Sequence, residues 1–224
     1  MSHRDACPTE TFRRIVGDVT DDRRERKARR TRDAIADAAL ELILEHGSDA
    51  VGVEDITNRV DVSRRTFSRY FATKEEAALD FLRRDLADLN AALAGRPADE
   101  RLVDAYVTVL HAWVRDDAEA WQRVPRRREI LRLAATEPAI GAAYRQIIAD
   151  AQDETARVAA DRLGLDADSA ASDLRPVVLA GIATAGLTAA GRAWVAGADG
   201  DLPGLVERVF ALLHTELSAF SPTA

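Results

Sequence analysis

Asp61-Val62-Ser63-Arg64-Arg65-Thr66-Phe67-Ser68-Arg69-Tyr70-Phe71-Ala72-Thr73-Lys74 is the stretch from which the fold can be read. Asp61-Val62-Ser63 reads as a tight turn, and the Ser63 hydroxyl is placed to cap a helix over Arg64–Phe71. At helical spacing Phe67 and Phe71 project to one side, with Tyr70 near them. Arg65 and Arg69 project almost opposite, flanked by Thr66 and Ser68. Such a helix anchors on aromatics and presents two guanidinium groups outward. Ala72-Thr73 breaks it, and Thr73-Lys74-Glu75-Glu76 has the form of a capping box that starts a long helix to about Leu93.

Upstream lies a short helix, Val53–Val60, with Val53, Ile56 and Val60 inward and Gly52 a weak N-cap. Before it a longer helix runs from about Arg24 to His46, with Ile35, Ala38, Ala39, Leu42 and Ile43 on one face. It stops at Gly47, the residue type that most easily takes the left-handed C-terminal position. Two short helices joined by a three-residue turn, behind a longer one, form a helix-turn-helix head. Its chemistry suits DNA. The paired donors of arginine match guanine O6 and N7 in the major groove, and a helix N-terminus bearing Ser63 and Thr66 suits a phosphate.

The net charge of −7 conceals an uneven distribution. Residues 1–74 hold 15 basic and 14 acidic groups, whereas residues 75–224 hold 16 and 24. Arg23–Arg32 carries seven basic groups against Glu25 alone, and Ser63–Lys74 carries four and no acid. Phosphate attraction acts within a Debye length of about 8–10 Å, so an acidic body does not veto a basic head. A basic run alone is ordinarily a solvated face. Here the turn, the aromatic anchor, the arginine pair and the second cluster occur together.

Beyond Gly95-Arg96-Pro97 a helical body begins. Leu102, Tyr106, Val109 and Trp113 form an apolar stripe. Pro125 precedes a short helix ending near Thr136. Pro138 opens another, with Ile140, Tyr144, Ile147, Ala151, Thr155 and Val158 in register, closed by Gly164. The two most apolar helices come last, Leu174–Trp194 and Leu202–Phe220, with Pro176 and Pro203 tolerable in first turns. Runs of alternating Val, Ile and Thr are missing, so the chain reads as all-α with nine or ten helices. The expected division is a mobile tail over 1–22, a DNA-binding head over 23–74, and a sensing and dimerisation body over 75–224.

Other classes fare poorly. The single cysteine, Cys7, supports neither a disulfide framework nor a cysteine metal site, and no metal or cofactor is expected. No signal-peptide core opens the sequence. Val177–Trp194 comes closest to an apolar span, but Arg192 and repeated Gly, Ala and Thr make it a buried helix of a soluble protein, expected in the cytoplasm without a membrane. An enzyme is the main rival. Yet His3, His46, His111 and His214 fall in no metal-binding spacing, and no glycine-rich phosphate loop or nucleophile elbow occurs. A helical interaction protein that has lost DNA binding is the second rival, opposed by Arg65, Arg69, Tyr70 and Lys74 together.

The run Val53-Glu54-Asp55-Ile56 through Val62-Ser63-Arg64-Arg65-Thr66-Phe67-Ser68-Arg69-Tyr70-Phe71-Ala72-Thr73-Lys74-Glu75-Glu76 resembles the signature of TetR-family regulators, over about residues 27–82. The resemblance implies that Arg64, Arg65, Thr66, Ser68 and Arg69, with Ser63 at the cap, touch bases or nearby phosphates. Tyr70 and Lys74 would grip the backbone, as would Arg30, Thr31 and Arg32. The sequence departs from the family at Asp61 in place of the turn glycine, at Val51-Gly52 in place of a threonine pair, and at Ser68 in place of a frequent tyrosine. The tract Asp173–Leu205 resembles a subgroup that includes mycofactocin-type regulators. The family implies a homodimer joined by the last two helices, an inverted-repeat operator, and repression released by a small molecule held in the body. Gly181, Ala185, Gly186, Ala189 and Ala190 would permit close helix approach, within the chain or across a dimer. Tyr106, His111, Trp113, Trp121, Tyr144 and Thr184, on otherwise apolar faces, are the candidates for an effector pocket. An apolar or amphipathic effector is expected, lipid-derived or aromatic in preference to a sugar phosphate.

Overall fold

Ten helices and no strand make up the described residues of the computed structural model, which are 23–116, 125–166 and 172–218. The expected tail over 1–22, Cys7 and Trp121 lie outside them. The helices are α1 Arg23–His46, α2 Val53–Arg59, α3 Arg64–Tyr70, α4 Lys74–Ala78, α5 Asp80–Ala94, α6 Leu102–Asp116, α7 Pro125–Thr136, α8 Pro138–Arg162, α9 Arg175–Val195 and α10 Leu202–Ser218. They form two compact units. One contains α1–α4, the start of α5, α7 and the first half of α8; the other contains the rest of α5 and α8 with α6, α9 and α10.

In the first unit α1 is central, packing on α2, α4 and α7. The stripe of Ile35, Ala38, Ala39, Leu42 and Ile43 is buried, and Ile56, Phe67, Phe71, Leu79 and Ile130 are buried in the same unit. Gly47, at φ 83, ends α1 as expected. The sequence suggests one uninterrupted helix from Thr73 to Leu93, but the helix breaks at Leu79. The reason is burial. Ala77, Ala78, Leu79, Asp80, Phe81 and Leu82 are six consecutive buried residues, more than one stripe of a continuous helix can turn inward. The break resets the helix so that both sides of the run face protein.

The buried run includes a charge. Asp80 has no exposure to solvent and accepts hydrogen bonds from Arg32 Nε, at 3.1 Å to each carboxylate oxygen, and from Arg32 Nη2 at 2.7 Å. Arg84 Nε lies 3.2 Å from the same carboxylate, and Arg84 Nη1 donates to Asp33 at 2.6 Å. The hydrogen bond to Asp80 holds Arg32 above the usual arginine pKa and keeps it charged. Arg32–Asp80 and Arg84–Asp33 thus fasten α1 to α5, with Arg84 also bracing Asp80 within its own helix. A second staple secures the α1–α2 loop. Lys74 Nζ donates to the carbonyls of Ser48 and Val51, the latter at 2.7 Å, while the buried Ser48 hydroxyl donates to Glu75 Oε1 at 3.0 Å.

In the second unit α9 and α10 make the most extensive helix pairing, and α10 also meets α6. Arg162 at the end of α8 donates to the carbonyls of Arg96 and Pro97, at 2.6 and 2.9 Å, satisfying main-chain acceptors just beyond α5. Thr155 donates to buried Asn90 at 2.8 Å, so that this polar pair is satisfied internally. The small residues of α9 divide between two faces. Gly186 and Ala190 face inward with Leu179, Ala183 and Trp194, and a Cβ at Gly186 would come within 2.7 Å of the Phe210 ring of α10. Ala185 and Ala189 face out beside exposed Val178, and a Cβ at Gly181 would meet nothing within 4 Å. The expectation that this helix is buried therefore holds for only one side of it. By length and composition α9 could also cross a membrane, and 28% of its most apolar window is buried within the chain.

Two outcomes follow from the staples. Asp80→Ala should destabilise the fold by about 1–3 kcal/mol in urea titration, because it removes the buried acceptor of Arg32 while the part-exposed guanidinium groups stay hydrated. Lys74→Met should cost about 1–3 kcal/mol by the same measurement, because it preserves the side-chain length and removes the donor to two carbonyls.

Candidate nucleic-acid interface

The turn before α3 is held by the main chain. Val62 N–H donates to Thr57 O at 3.0 Å, closing the end of α2 around Asp61 at φ 51. That is the left-handed region, which an aspartate enters less easily than a glycine but more easily than most residues. Ser63 then caps α3 as the sequence suggests, its Oγ accepting from Thr66 N–H at 3.0 Å. Its hydroxyl also lies 2.9 Å from that of Thr66.

The aromatic anchor is in place. Phe67 is 1% exposed and Phe71 5% exposed, with ring centroids 5.9 Å apart. Opposite them Arg65, Thr66, Ser68 and Arg69 line one shallow depression. Arg64, Arg65, Ser68 and Arg69 are exposed, and Tyr70 is half-buried at the edge. Arg69 donates to the Tyr70 hydroxyl at 3.0 Å and stacks its guanidinium 4.8 Å above that ring. The stack limits the sweep of a flexible side chain, lowering the entropy lost when it meets a partner. Arg64 Nη1 donates to Glu54 Oε1 at 2.6 Å. Glu54 is a residue that reasoning from sequence missed; the only available signal was its opposite charge ten positions before Arg64.

The remaining candidates lie on other helices. Arg30 is exposed on α1, and Thr31 donates to Lys27 O at 2.9 Å. Arg32 and Lys74 are the two engaged with Asp80 and with the Ser48 and Val51 carbonyls. Among the pocket candidates, Tyr106, His111 and Trp113 on α6 and Thr184 on α9 fall in one compact unit, whereas Tyr144 falls in the other. Tyr106 and Trp113 are buried; His111, Tyr144 and Thr184 are half-buried. Among the described residues no group of three His, Cys, Asp or Glu is disposed to hold a metal ion.

An exposed, capped arginine helix on an aromatic anchor, behind a turn of three residues, is the geometry of a helix that enters a major groove. Comparison with known proteins agrees. Residues 35–78 match the family described as "Bacterial regulatory proteins, tetR family", and residues 96–218 match the "MftR C-terminal domain". The chain is 35% identical over 185 residues to the HTH-type transcriptional regulator TcmR of Streptomyces glaucescens, covering 81% of this chain and 80% of that protein. It is 33% identical over 119 residues to the "Putative mycofactocin biosynthesis transcriptional regulator MftR" of Mycobacterium tuberculosis, covering 51% of this chain and 60% of that protein. The chain belongs to the TetR family of transcriptional regulators, with a C-terminal domain of the MftR type.

Proposed function

We propose that the protein is a cytoplasmic, non-enzymatic repressor that binds an inverted-repeat operator as a homodimer and leaves it when a small molecule occupies the body. The observation that carries the reading is the outward Arg65/Arg69 pair on α3, opposite its buried phenylalanines. Arg65 and Arg69 read base edges; Ser63, Arg64, Thr66, Ser68 and Tyr70 meet neighbouring phosphates, and Arg30 and Thr31 meet them from α1. Arg32 and Lys74, already engaged within the protein, hold that surface in shape from behind.

Dimerisation uses the outward face of α9, where Val178, Gly181, Ala185 and Ala189 recur at helical spacing, together with exposed Leu212 of α10. Large aliphatic side chains more than half exposed in the single chain gain by meeting a second copy, and the small residues let two backbones approach closely. A two-fold dimer presents two α3 helices to successive major grooves, about 34–36 Å apart. An effector that prefers a different spacing of the heads lowers operator affinity through coupling of about 1–3 kcal/mol.

Selecting binding sites from random DNA and titrating them in gel shifts tests the whole reading. An inverted-repeat consensus supports it, and no enrichment at all favours a helical interaction protein. On the selected site Arg65→Ala should cost about 1–3 kcal/mol and relax the preference for the base it contacts, with melting unchanged. Sedimentation at micromolar concentration should give twice the 24.4 kDa chain mass. Gly181→Arg should give a folded monomer by sedimentation and circular dichroism, because the chain itself leaves that position open.

A further inference from the structure

Tyr106 is out of place as an ordinary core residue. It is 2% exposed, yet its hydroxyl has no hydrogen-bond partner among the described residues. An unmet buried hydroxyl is destabilising, and a phenylalanine would avoid that cost. The ring lies 6.4 Å from that of Phe210, tilted by 41°. Phe210 in turn occupies the space left by Gly186, whose missing side chain admits the ring to the α9–α10 seam. Tyr106 of α6, Gly186 of α9 and Phe210 of α10 thus build one aromatic corner in which the phenol hydroxyl is unmet. Burial alone raises the phenol's pKa, with no charged neighbour contributing, so the group stays a neutral donor in apolar surroundings.

We propose that the Tyr106 hydroxyl is the hydrogen-bond handle of the effector site, and that it takes an uncharged, largely apolar molecule through a carbonyl-type oxygen. No charged group acts on the phenol, so a carboxylate or phosphate seated against it would lack a compensating cation there and incur a large desolvation cost. The apolar body of the ligand would lie against Phe210, and the neutral phenol would donate to its oxygen. This rests on the reading of the body as an effector-binding unit and adds the chemistry of what it binds.

The test uses the full-length protein and two uncharged fluorescent probes. Prodan carries a carbonyl whose emission reports hydrogen bonding; N-phenyl-1-naphthylamine is apolar and carries no oxygen. Wild type should bind both. Tyr106→Phe should bind prodan roughly 2–10-fold more weakly, with its emission shifted to the blue, and keep the affinity for N-phenyl-1-naphthylamine. The variant should melt no lower than wild type, because it loses an unmet polar group. The proposal is overturned if wild type binds neither probe, if prodan affinity and emission are the same in both proteins, or if both probes are lost together with a fall in melting temperature. Gel shifts on the same preparations separate the two readings: intact operator binding beside failed prodan binding removes the handle and leaves the regulator.

Discussion

A carboxylate without access to water organises the DNA-reading unit. Asp80 begins α5 in a run of six buried residues and is neutralised by Arg32 from α1 and Arg84 from α5. A buried charge is tolerated only where its partners are well placed, so the α1–α5 register is narrowly fixed. The constraint reaches α3 as well. The Arg32 guanidinium lies 5.2 Å over the ring of Phe71, which packs on Phe67, the inward anchor of the recognition helix. From Asp80 to the outward arginines the chain of contacts is short and consists of groups that tolerate little displacement.

Helices whose apolar periodicity is strong were legible in the sequence. The Ser63 cap, the left-handed stop at Gly47 and the opposition of Phe67/Phe71 to Arg65/Arg69 depend on residues close in sequence, and such signals survive without a structure. What could not be read involves partners far apart. Arg32 and Asp80 are separated by 48 positions, Lys74 and Val51 by 23, and no local pattern announces either pairing. By sequence alone both cations look like available surface charge. The break at Leu79 was hidden for a related reason, because unbroken helical propensity through Glu75–Phe81 gives no hint that consecutive residues must all be buried.

The body was less legible because alanine and glycine sit on every side of its helices. In α9 the same residue types serve two purposes: Gly186 makes room for an aromatic ring within the chain, and Gly181 faces outward. Composition gives these glycines equal weight, and only the positions of the neighbouring helices distinguish them. The six pocket candidates likewise stood as equals by residue type. Among the described candidates the unmet hydroxyl singles out buried Tyr106, and Tyr144 falls in the other compact unit.

The enclosure of Asp80 has a practical consequence for measurement. Mobile ions screen exposed charges over about 8–10 Å at moderate salt, and they act least at the enclosed Asp80 end of this network, whose arginines are themselves 35% and 43% exposed. The network that shapes the head is therefore less sensitive to ionic strength than the exposed arginines of α3. A salt titration of binding should then report chiefly the phosphates neutralised at the surface.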